Sequence, residues 1–308
     1  MFIGGIRMKE IAVNIAKKYY SIEPTSISSL GAGFYGCVFL VELKKPPYKI
    51  VVKIYFKNEL AQKEKQQIEV LSKYTLIPMP KIYYIHIHDR SIPNDVLVME
   101  YIDGVNAGMQ TKINEKYVDK MGNQIIDNLL AYHSIVNKEG FGELNADTFF
   151  KDWRDYYKIQ VTNIHQKAYV MYEDGRISEK TYDIIDEVYR KYDKIFYLPI
   201  TEACLIHGDY NMWNIMLNKN LTDVIAVIDP YNCQWADAEF DLYQLNNANG
   251  KDFSLLERYA ERKQLSENFD IKNSVYELFT EVNHFYDANV DPIHSNIPAQ
   301  ALSLKEKI

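Results

Sequence analysis

Asp209, Asn214 and Asp229 are the residues with which this chain could do chemistry. They sit in Leu205-Ile-His-Gly-Asp-Tyr-Asn-Met-Trp-Asn-Ile-Met-Leu217 and, after a polar gap, in Val224-Ile-Ala-Val-Ile-Asp-Pro230. The apolar runs Asn214 to Leu217 and Val224 to Ile228 predict a buried hairpin closed by a polar turn. His207, Asp209 and Asn214 precede its first strand and Asp229 follows its second, so folding gathers two carboxylates and an amide oxygen at one mouth. Such donors suit a hard cation, Mg²⁺ carrying nucleotide phosphates. Read apart, His-Gly-Asp is an ordinary turn and Ile-Asp-Pro an ordinary strand end; the ordered pair carries the signal.

Other elements must position these groups. Gly31-Ala32-Gly33-Phe34-Tyr35-Gly36 lies between two strand-like runs rather than between a strand and a helix, which disfavours a dinucleotide fingerprint. What remains is a plain hairpin, or a loop whose glycines let backbone amides approach phosphates. Lys53 stands alone among apolar residues in Ile50 to Phe56, as an edge charge reaching water along its stem or as a grip on phosphates. In the helix expected over Asn58 to Tyr74, Glu64 shares a face with Ile68 and Leu71. A glutamate on the buried side needs a partner, and Lys53 is the candidate, with Glu59 and Glu69 as alternatives to Glu64.

Taken together, His-x-Asp-x-x-x-x-Asn followed by Ile-Asp resembles the catalytic and metal-binding loops of the aminoglycoside phosphotransferase, choline kinase and fructosamine kinase superfamily. The resemblance runs from Leu30 to about Leu245. It implies an α+β, two-lobed protein-kinase-like fold: a small N-terminal lobe with an antiparallel sheet over residues 1–102, and a larger, mostly helical lobe over 103–308. It further implies that Asp209 is the catalytic base, that Asn214 and Asp229 hold Mg²⁺, and that Gly31, Gly33, Gly36, Lys53 and Glu64 serve the phosphates of ATP or GTP. Glu100 to Ile102 would be the adenine-binding hinge with Met99 behind it; a buried central strand fits the same residues. Asp241 would anchor the loop at His207. Asp237 and Glu239 would face the acceptor, or are simply carboxylates favoured at a helix N-terminus. Trp153, Tyr156 and Tyr157 would line the acceptor wall, or pack in the core. Pro230 follows Asp229 where protein kinases have Phe-Gly, and no activation segment follows. The implied reaction is phosphoryl transfer to a hydroxyl of a small molecule.

Around these motifs we expect a helix from Met8 to Tyr20 packed on the sheet, a strand from Ile82 to Ile87, and a core helix from Lys116 to Val136 bearing a structural His133. A helix capped by Ser178 should run to about Ile195, and helices Phe253 to Lys263 and Ile271 to Ala288 should be capped by Asp252 and Asp270. The tail from Asn289 shows few anchors, so we expect it to be loose. A net charge of −7 argues against nucleic acid as partner and suits a cationic acceptor. No leader and no membrane-spanning run is visible, and Cys37, Cys204 and Cys233 show no metal spacing. Those features lead us to expect a cytoplasmic protein with reduced, buried thiols.

Overall fold

Alternating apolar residues build the N-terminal sheet. In the computed structural model, which describes residues 2–290, 292 and 295–308, β2 (Gly36–Glu42) and β3 (Lys49–Tyr55) alternate buried and less buried positions. With β1 (Ser26–Ala32), β4 (Ile82–His86) and β5 (Val96–Glu100) they form an antiparallel five-stranded sheet in the order β1-β2-β3-β5-β4. Helix α1 (Phe2–Tyr20) lays Ile11, Ala12, Ile15 and Ala16 on Phe39, Val41, Ile50, Val52 and Val98, as the helical spacing predicts. Helix α2 (Leu60–Leu71) starts later than expected, because Glu59 adopts a left-handed conformation that breaks the first turn.

By internal packing the chain divides into two compact units, residues 1–105 with 215–229, and residues 106–214 with 230–308. The hairpin of Ile215–Leu217 and Val224–Val227 therefore groups with the sheet; its strands pair antiparallel with Ile215 opposite Val227.

The second unit is mostly helical: α3 (Glu115–His133), α4 (Trp153–Glu173), α5 (Glu179–Arg190), α6 (Tyr192–Ile195), α7 (Leu255–Ala260), α8 (Phe269–Asp287) and α9 (Ile297–Lys305). Asn114, Asp152 and Ser178 cap α3, α4 and α5 through their side chains. Two expected caps differ. Ser254 and Asn268 precede α7 and α8, without side-chain capping bonds, while Asp252 lies in a 3₁₀ turn and Asp270 in the first turn of α8. The tail also differs. Residues 291, 293 and 294 lie outside the described set, but α9 buries Ile297, Ala301 and Leu304 in the core beside Val275, Leu278 and Val282. Its anchors are three apolar side chains at helical spacing, too few to stand out in the sequence. Cys37, Cys204 and Cys233 are buried free thiols, as expected; burial pushes the Cys204 thiol up to about 12.

Candidate active site

In the first unit the chemistry centres on Lys53. Strand β3 pleats its side chain and that of Tyr55 to the same face. Lys53 Nζ lies 2.6 Å from Glu64 Oε2 and also pairs with Asp229 Oδ1. Burial acts to discharge Lys53, but the two carboxylates outweigh it and the net shift is upward. Glu64 is 7% exposed, and burial raises its carboxyl despite the opposing pull of Lys53. Helical spacing thus selects Glu64 over Glu59 and Glu69: Glu59 sits at the left-handed turn and Glu69 pairs with Lys65. Asp229 itself has a left-handed backbone and an exposed side chain, at the end of the hairpin.

Gly33 N donates to Gly36 O at 2.9 Å, closing the glycine turn between β1 and β2. The positions of Gly31 and Gly33 are open on the side where a Cβ would stand, whereas a Cβ at Gly36 would run into the Ile54 carbonyl. Gly36 therefore serves the sheet, and the open pair the loop. Met99 is buried at the end of β5, Glu100 N donates to Lys81 O, and Ile102 O accepts from Gly104 N. Asp95, unremarked in the sequence, is 1% exposed and accepts the amides of Glu59 and His88.

In the second unit the loop at His207 to Asn214 is held from below. Asp241 is fully buried and accepts the amides of His207 and Gly208. His133 Nε2 lies 3.2 Å from the same carboxylate and its Nδ1 lies 2.8 Å from Tyr259 Oη, so this histidine is structural, as expected. Gly208 has φ 80°, and a Cβ there would meet the Tyr231 carbonyl, so only glycine fits the turn. Both oxygens of Asp209 accept amide donors: Asn211 Nδ2 to Oδ1 and Asn214 Nδ2 to Oδ2, each at 2.7 Å. Turning its NH₂ to Asp209 points the Asn214 oxygen away from that carboxylate. Asn211 is in turn held by Gln244 Oε1 at 2.6 Å. Sequence reasoning passed over Asn211 and Gln244, whose types carry no reactive group.

The expected acceptor residues are placed otherwise. Trp153 and Tyr157 are buried and stack with centroids 5.2 Å apart inside the aromatic core with Phe196, Phe240 and Tyr276; of the three expected aromatics, Tyr156 keeps partial exposure. Asp237 and Glu239 are turned inward onto Lys272 Nζ, at 2.8 Å and 2.7 Å. Tyr276 donates to Asp237, and Ser266 donates its amide and hydroxyl to Glu239. A face toward an acceptor is corrected for these four by burial and by partners already in place.

The sequence model of the phosphotransferase enzyme family matches residues 26–271. The uncharacterized Escherichia coli (strain K12) protein YcbJ is 24% identical over 69% of this chain and 70% of its own length. An Arabidopsis thaliana chloroplastic protein-ribulosamine 3-kinase is 24% identical over 61% of this chain and 56% of its own. Among solved structures, a protein assigned as a fructosamine-3-kinase from Haemophilus somnus 129PT superposes with TM-score 0.71 at 16% identity, covering 96% of both chains. A GDP and kanamycin complex of APH(2″)-IIIa superposes with TM-score 0.68 at 16% identity, covering 95% of this chain and 96% of that one. These likenesses establish the two-lobed α+β, kinase-like fold.

Proposed function

This chain belongs to the phosphotransferase enzyme family and is a small-molecule kinase, and from that premise we propose that it moves the γ-phosphate of ATP or GTP to a hydroxyl of an aminated sugar or alcohol, with Mg²⁺. The observation that carries this reading is Lys53, on the strand after the glycine hairpin, paired at once with Glu64 and Asp229. Such a lysine, fixed in place and kept charged, suits nucleotide phosphates. Gly31 and Gly33 would cover the phosphates, while Met99, Glu100 and Ile102 would bound the base.

The donor set fits a hard cation. Asn214 directly precedes Ile215 and Asp229 follows Val227 by two residues, and an amide oxygen and a carboxylate are donors that such a cation takes. These residues would hold Mg²⁺, which when bound neutralises charge on the phosphates. Asp209 would accept the acceptor's hydroxyl proton, oriented by Asn211 and Asn214. Phosphoryl transfer asks for positioning and charge more than for covalent chemistry, and this set supplies both.

The nucleotide role falls to residues 1–102 and the acceptor and catalytic loops to 103–308. For the acceptor, the ribulosamine kinase of Arabidopsis and the Haemophilus protein support a ketosamine, and the kanamycin complex an aminoglycoside. Among the described residues no helix is long and apolar enough to cross a membrane. A cytoplasmic setting, with nucleoside triphosphates and reduced thiols, belongs to the proposal.

A coupled ADP or GDP release assay with Mg²⁺, run with each nucleotide against aminoglycosides, fructosamines, choline and small sugars, tests it. An acceptor that raises release far above the acceptor-free rate, with Asp209→Asn losing that rate but keeping nucleotide affinity, is the expected result. Unchanged turnover in Asp209→Asn would remove Asp209 from its role.

A further inference from the structure

Tyr55 has a place in this site that its type does not announce. It is the last residue of β3, two positions after Lys53, 2% exposed, and shares that residue's face of the sheet. Its hydroxyl donates to Glu64 Oε2 at 2.7 Å, the same oxygen that Lys53 Nζ contacts at 2.6 Å. Its ring also meets the lysine, with Nζ 5.5 Å from the centroid. Tyr55 thus touches both members of the pair.

Its own placement is fixed by the backbone. Tyr55 N donates to Asp95 O at 3.0 Å, and Tyr55 O accepts Asn94 Nδ2 at 2.8 Å. The Asp95 carboxylate accepts Glu59 N at 2.6 Å, immediately before the helix that carries Glu64. One corner, Asn94-Asp95, therefore holds both the tyrosine and the start of α2. Burial pushes the phenol well above its usual range, so it stays a donor.

We propose that Tyr55 is a positioning residue for triphosphate binding: it holds Glu64 in place so that Glu64 keeps Lys53 aimed while the lysine engages phosphate. The reason lies in how Lys53 is shared. It contacts Glu64 and Asp229 together, and a phosphate would be a further claim on the same ammonium. As the lysine turns toward phosphate, Glu64 needs another donor to remain ordered at a site 7% exposed, and the phenol supplies it. This inference rests on the nucleotide-gripping role proposed for Lys53.

Isothermal titration of Mg·ATP, Mg·GTP, adenosine and guanosine to the full chain and to Tyr55→Phe, Glu64→Gln, the double variant and Lys53→Ala tests it, with thermal melts to establish folding. Tyr55→Phe keeps the ring and removes only the hydroxyl. Expected is a loss of roughly tenfold in triphosphate affinity, unchanged nucleoside affinity, and no added loss in the Glu64→Gln background. Equal loss for nucleoside and triphosphate, full additivity with Glu64→Gln, or no loss while Lys53→Ala is severely impaired would overturn the role of Tyr55 alone. Lys53→Ala binding triphosphates as the parent does, or a parent that binds none, would overturn the reading of the site and this inference with it.

Discussion

The carboxylate of Asp241 accepts the backbone amides of His207 and Gly208, at 2.8 Å and 2.7 Å, from a position with no solvent exposure. Two adjacent amides converging on one anion fix the backbone that presents Asp209. Asp241→Asn would retain one acceptor and turn an NH₂ against the other donor. Turnover is expected to fall roughly ten- to a hundredfold, with nucleotide affinity held within about threefold. Single-turnover rates beside calorimetry check this, and an equal loss in both would count against a role confined to the loop.

Lys272 predicts a stability effect. Burial acts to lower its pKa, but Asp237 and Glu239 outweigh that and leave it raised, so the ammonium is charged at neutral pH. Its side chain is 2% exposed against carboxylates 8% and 10% exposed. Lys272→Met would leave both carboxylates buried without their cation, at about 3–5 kcal/mol of destabilisation. Chemical denaturation measures it. Because the folded pKa is raised, the contribution is complete below the unfolded value of about 10.4 and is lost as pH rises through the folded one.

What was legible in the sequence follows from how local each signal is. The hairpin of Ile215–Leu217 and Val224–Val227 reads directly, since two apolar runs of strand length flank a polar turn. Glu64 reads from helical spacing, because a lone carboxylate on an apolar stripe needs a partner. Lys272 does not read, because its neighbours Asn273 and Ser274 make it resemble one more exposed residue of an amphipathic helix. Its partners lie on a 3₁₀ segment far away in sequence, so only tertiary packing reveals the network. Trp153 and Tyr157 show the converse. Aromatic richness suits a ligand wall and a core equally, and here Trp153 donates its indole N–H to Tyr276 Oη at 2.8 Å in the core.

His284 predicts acid sensitivity. Burial pushes its imidazole down to about 4, against a smaller opposing pull from Asp287, and its ring packs edge-on to Tyr231 at 5.0 Å. A base with a depressed folded pKa contributes no pH dependence above its unfolded value of about 6.5. As pH falls below that value the unfolded chain takes the proton and stability drops, levelling only near the folded pKa. The loss is on the order of 3 kcal/mol. Denaturation midpoints of His284→Gln and the parent should therefore differ in slope between those limits and run parallel above them; parallel slopes throughout would exclude His284 as the cause.

Asn211 separates orientation from chemistry at Asp209, the carboxylate proposed as the base. It is 7% exposed; its Nδ2 reaches Asp209 Oδ1 and Gln244 Oε1, while its Oδ1 accepts Trp213 N at 2.9 Å. The side chain thus links the Asp209 carboxylate to the backbone of its own loop. Asn211→Ala removes one amide donor to Asp209 and leaves that of Asn214 in place. A loss of roughly tenfold in turnover is expected, with little change in nucleotide affinity and a melting temperature lowered by a few degrees. Gln244→Leu should reproduce most of that loss, because Asn211 then lacks its support. The double variant should cost no more than Asn211→Ala alone, since both act on Asp209 through one contact. Rate losses that multiply in the double variant would mean that Gln244 acts elsewhere, through its bond to the Gly208 carbonyl at 3.1 Å.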